Sequence, residues 1–150
     1  MEKHIPEILE PVSILNPQTT NGGPATDYLD LSDCHMAYLI VNLTQAASHE
    51  TTITVQEAED SGGTGVDTVA NNVRIWHDED VDDDNETLDR EDDATSHDAA
   101  AGTDNQLIVF QVDPRALSGD NTHVRLSFQD STEANNIASV VAYKAPRYQG

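Results

Sequence analysis

Short apolar runs with a period of two, separated by turn-forming residues, most constrain what this chain can fold into. Thr51 to Gln56 alternates cleanly, with Ile53 and Val55 on one face and the threonines on the other. Val73 and Ile75 share a face, as do Val124, Leu126 and Phe128. Leu107 to Val112 and Ile137 to Tyr143 read as further strands. Met36 to Val41 is continuously apolar instead, which predicts a central strand buried on both faces. No segment has the length and period of an amphipathic helix. The expectation is an all-β chain folded as an antiparallel sandwich or jelly roll.

Turn chemistry falls between the runs. Asp60 to Gly65 supplies glycines able to take positive φ. Asp113-Pro114 reads as a cap followed by proline at the first helical position, opening one turn through Leu117. Cys34 is the single cysteine, so an intrachain disulfide or a cysteine metal cluster is excluded, and a buried, small apolar role is expected.

Residues 1–26 hold four of the six prolines, at positions 6, 11, 17 and 24. That density forbids a continuous helix and favours extended backbone. Because apolar side chains are dense there, the segment is expected to be an arm lying across a neighbouring subunit. Ile8, Leu9, Val12, Ile14 and Leu15 are its candidate contacts, followed by a single sandwich domain over 27–150. At the other terminus Arg147 and Tyr148 are residue types enriched at interfaces.

The segment from His77 to Asp98 carries twelve carboxylates against one arginine, within a chain of formal charge −21. Aspartate outnumbers glutamate by 18 to 10 and only two lysines occur, Lys3 and Lys144. Self-repulsion on this scale opposes the compact state at ordinary ionic strength. In molar salt the Debye length falls to about 3 Å and the repulsion is screened. The surface is therefore expected to be adapted to high salt, and it would repel nucleic-acid phosphates. Residues 78–105 exceed an ordinary connection and are expected to form a long, solvated acidic loop inserted in the scaffold. No apolar run is long enough to span a membrane and the N-terminus lacks a signal-peptide core, so synthesis in the cytoplasm without export is expected.

Within the tract, Asp80, Asp82, Asp84 and Glu91 approach a calcium-loop spacing, with Asn85 where that loop has glycine. A strand precedes them where the motif requires a helix, so loosely condensed cations are expected rather than a specific Ca2+ site. His77 and His97 bracket the tract, but they stand twenty positions apart and neither lies in an H-E-x-x-H frame. Both are expected to be solvated. No G-x-S-x-G elbow and no phosphate loop occurs, and no catalytic residue is expected.

The layout resembles the small β-sandwich virion proteins encoded near the major capsid protein of tailed viruses, which serve as head decoration or auxiliary structural proteins. The resemblance rests on Asp27–Ser32, Thr52–Ala58, Gly63–Gly65, Leu107–Pro114 with Leu117, Thr122–Leu126, Ala138–Ala142 and Pro146–Tyr148. It covers residues 27–148 in packing and turn patterns rather than chemical signatures. It departs from that pattern in the long acidic insertion after Trp76. The resemblance implies a non-enzymatic protein without a cofactor, located on the capsid exterior. Its partners would be the major capsid protein and further copies of itself, with no nucleic acid and no membrane. With the acidic surface, it points to a virus of a halophilic archaeon. A virion adhesin using Trp76 against a glycan, and a tail-tube or head-completion protein, are the alternatives.

Overall fold

The computed structural model describes residues 2–45, 49–83, 87–102 and 104–147. A four-residue helix α1 (Ile5–Ile8) precedes β1 (Glu10–Thr19), β2 (Leu29–Asp30), β3 (Cys34–Thr44) and β4 (Thr51–Ala58). Then come β5 (Asp67–Thr68), β6 (Arg74–Asp78), β7 (Asp89–Arg90) and β8 (Ser96–Ala99). The chain ends with β9 (Asn105–Val112), a 3-10 turn (Pro114–Ala116), β10 (His123–Phe128) and β11 (Ile137–Pro146). One sheet has the order β1-β11-β3-β9-β6-β7; the other has β2-β10-β4-β5, with β8 also paired to β4. All the strand pairings are antiparallel, and the two sheets enclose one core, so the expected all-β sandwich is what forms.

The core follows the period-two pattern. Leu39, Val41, Leu43, Ile108, Phe110, Ile75, Val140 and Ala142 face inward from the six-stranded sheet. Ile53, Val55, Val124, Leu126 and Phe128 face them from the other. Buried side chains of this size each contribute roughly 1.5–3 kcal/mol relative to exposure, which is the main term holding the sheets together. Asp113 accepts a hydrogen bond from the Arg115 backbone N–H at 2.9 Å and caps the 3-10 turn as its sequence implies. Cys34 is a free, buried thiol.

Two expectations need correction. The N-terminal segment is not an arm across a neighbour: Glu10–Thr19 is an edge strand of the chain's own sheet, paired with β11. Ser13 pairs Val141 and Leu15 pairs Val140, leaving Ile14 as the inserted residue of a bulge. The bulge turns Ile14 and Leu15 inward together, and both are buried; the Ile14 carbonyl accepts from the Asp27 N–H at 2.8 Å. Val12 packs on the core, so only Ile8 and Leu9 of the five contacts remain at the surface. Proline favours this arrangement because Pro11 and Pro17 lie on an edge strand, where missing N–H groups break no ladder.

The second correction concerns β3, which is central in its sheet but covered on one face only. Ala37, Leu39, Val41 and Leu43 are buried, whereas Met36, Tyr38 and Ile40 are half-exposed on the outer face.

Candidate functional site

From β7 onward the acidic tract pairs with both sheets. After β6, the chain turns back as β7, where Trp76 pairs Arg90 and His77 pairs Asp89. Val73 and Ala94 form an isolated bridge, and the Glu91 N–H donates to the Ile75 carbonyl at 3.0 Å. β8 then crosses to the other sheet and pairs with β4, burying Ala99 and His97. Arg90, the single cation of the tract, is spent locally. It donates to the Ile75 carbonyl at 3.2 Å, pairs with Asp93, and lies 5.1 Å from the centre of the Trp76 ring. The expectation of a solvated excursion over 78–105 therefore fails from β7 onward. Bridges to Val73 and β4 supply the backbone partners that the tract's composition does not advertise.

This path brings His77, Glu91 and His97 together. Glu91 Oε1 lies 3.3 Å from His77 Nε2, and Glu91 Oε2 accepts from His97 Nδ1 at 2.9 Å. The imidazole rings are 5.5 Å apart, centre to centre. His97 is 5% exposed, and its Nε2 has no hydrogen-bond partner. Glu79 Oε1 approaches His77 Nδ1 to 3.5 Å, an ion-pair distance that lacks hydrogen-bond geometry. The expectation that both histidines are solvated is overturned, since they meet across the tract with one donor atom from each residue within 4.8 Å. No spacing rule could have found them, because β6 and β8 belong to different sheets.

Among the described residues the calcium-loop candidates do not assemble. Asp80 and Asp82 occupy a surface turn, where Asp80 Oδ1 accepts from the Asp82 N–H and Asp82 Oδ2 accepts from Asn105. Glu91 is committed to the histidines. Asp84 lies outside the described residues, as does Tyr148. Arg147 is held within its own chain: its N–H donates to the Asp33 carbonyl at 2.7 Å and its Nε to the Cys34 carbonyl at 3.1 Å.

A second feature is the outer face of the six-stranded sheet. Register places Val141, Ile40, Val109 and Trp76 in one row across β11, β3, β9 and β6. Tyr143 and Tyr38 are adjacent in the next row. Of these, Tyr38, Ile40, Val109 and Tyr143 line an apolar groove of about 340 Å³ together with Ile5, Leu9 and Leu88.

Several carboxylates are held below the ordinary carboxylate range as structural acceptors. Burial pushes Glu57 up, but hydrogen bonds from Ser118, Asn121 and Ala70 outweigh it and lower its pKa. Asp60, Asp113 and Asp130 are lowered first by hydrogen bonds from Thr64, Arg115 and Gly22 respectively. Burial pushes the Cys34 thiol up, away from the reactive thiolate form.

No protein-family model matches the chain, and no curated protein matches it. Among solved structures it is similar to the SPBc2 prophage-derived protein YomS, at 10% sequence identity and a TM-score of 0.48, over 90% of this chain and 91% of that one.

Proposed function

We propose that this is a non-enzymatic virion protein that decorates the outside of a tailed-virus head, binding the major capsid protein lattice and further copies of itself. The observation that carries the reading is the one-sided burial of β3. A continuous apolar run has one face in the core, and its other face joins Ile40 with Val109, Val141 and Tyr143 in a partly exposed apolar surface on a protein of charge −21. Contiguous apolar surface rimmed by polar groups marks an interaction site. Association through this face is favoured over edge pairing, since β1 carries prolines and a bulge and β7 is two residues long. The acidic exterior keeps such a particle soluble in concentrated salt. A glycan-binding role would use an open Trp76 face, and Arg90 covers that ring.

The test is cryo-electron microscopy of purified virions, with the position and copy number of this chain as the readout. A regular outer layer that buries Ile40 and Val141 is expected. A few copies at a vertex or in the tail would reject decoration in favour of a completion or tail-tube role.

A further inference from the structure

We propose that His77, Glu91 and His97 form a zinc site that staples the two sheets together at the start and end of the acidic tract. This inference stands independently of the capsid reading.

The donor set is the first argument. Two imidazoles and one carboxylate suit Zn2+, which takes nitrogen and carboxylate ligands in a tetrahedron, whereas Ca2+ and Mg2+ prefer all-oxygen cages. With metal–ligand bonds of 2.0–2.2 Å, neighbouring ligands of a tetrahedral zinc lie about 3.3 Å apart. Here Glu91 Oε1 is 3.3 Å from His77 Nε2 and Glu91 Oε2 is 2.9 Å from His97 Nδ1, so the carboxylate lies between the two imidazoles. Closure around an ion requires the two imidazoles to draw together and the carboxylate to offer one oxygen to the metal or to chelate it with both, and three protein ligands leave the remaining position to solvent.

The second argument is how the ligands are held. His77 lies next to the end of β6 in one sheet, His97 lies in β8 against β4 in the other, and Glu91 is fixed between them by its N–H bond to the Ile75 carbonyl. Glu79 Oε1 lies 3.5 Å from His77 Nδ1, close enough that a small side-chain shift would make it the outer carboxylate that often orients a zinc-bound imidazole. His97 is 95% buried with its Nδ1 turned to the Glu91 carboxylate, so this ligand is held in place by the fold. The tract's negative field adds attraction for a divalent cation, but field alone cannot distinguish zinc from calcium. The imidazoles do that.

The experiment uses the full chain without a histidine tag, in the salt that keeps it folded. Equilibrium dialysis against Zn2+, with and without excess Ca2+, is followed by metal analysis, and Co2+ serves as a spectroscopic substitute. One Zn2+ per chain is expected, undisplaced by Ca2+, with Co2+ giving the intense visible bands of low coordination number. His77→Ala and Glu91→Gln should each weaken Zn2+ by roughly 100-fold or more, the upper end of what loss of an outer-shell partner does. The Asp80→Asn, Asp82→Asn double variant should bind as the parent does. Absence of saturable binding, displacement by Ca2+, or weakening only in the aspartate variant would each overturn the site. If Glu91→Gln fails to fold, His77→Ala decides, because His77 sits next to the end of its strand and is partly exposed.

Discussion

Glu57 offers a sharp test of how this sandwich is tied together. It lies near the end of β4 at 2% exposure, and its carboxylate accepts four hydrogen bonds from two segments distant in sequence. Ala70 N–H approaches Oε2 at 3.2 Å and Ser118 N–H at 3.0 Å, while Asn121 Nδ2 reaches Oε1 at 2.9 Å and the Ser118 hydroxyl completes the set. Glu57→Ala strands these donors. Breaking a buried, charged network costs about 3–5 kcal/mol, and we take about 4 kcal/mol here. For a chain of 150 residues that corresponds to a Tm lower by about 12 °C. Glu57→Gln keeps the shape and one acceptor oxygen, so about 2 kcal/mol is expected, the range of a charged hydrogen bond. The native pKa is depressed below the unfolded value of 4.5. The carboxylate's contribution is therefore complete above pH 4.5 and is lost as pH falls from there through the depressed native value. Urea unfolding in molar KCl, followed by Trp76 fluorescence and circular dichroism, gives the comparison. A Glu57→Ala loss below about 1 kcal/mol, no more than one ordinary hydrogen bond, would refute the reasoning. So would a parent–variant difference that does not shrink in acid.

Leu15→Ala should destabilise the isolated protein by about 3 kcal/mol, because β1 belongs to the chain's own core; unchanged stability in urea would restore the arm. Gly63→Ala should lower the Tm, with a loss of at least about 1 kcal/mol. Gly63 has φ +82°, and a Cβ there would sit 2.8 Å from the Tyr28 hydroxyl; a variant as stable as the parent would show that the turn relaxes. Stability should rise with KCl as the Debye length shrinks from about 10 Å at 0.1 M towards 3 Å at 1 M, and a salt-independent thermal midpoint by circular dichroism would reject the high-salt adaptation.

What the sequence determined by itself is local. The alternation at Ile53 and Val55, or at Val124, Leu126 and Phe128, specifies a strand and its buried face from neighbours two residues apart. The Asp113-Pro114 turn and the glycines after Asp60 are legible because their chemistry is satisfied within a few residues. The surface charge needs no structure at all. Tertiary structure decided which strand lies beside which. The pairing of β1 with β11 joins residues more than a hundred positions apart, so a proline-rich segment that looks like an arm becomes an edge strand. It also decided that β3 is covered on one side only, since a continuous apolar run shows two faces wanting burial but not what buries them. His77 and His97 meet because β6 and β8 enter different sheets that close on each other, and hydrophobic burial elsewhere in the chain drives that closure. Periodicity records what a residue's neighbours in sequence impose, whereas a site assembled across two sheets exists only once the core has brought them together.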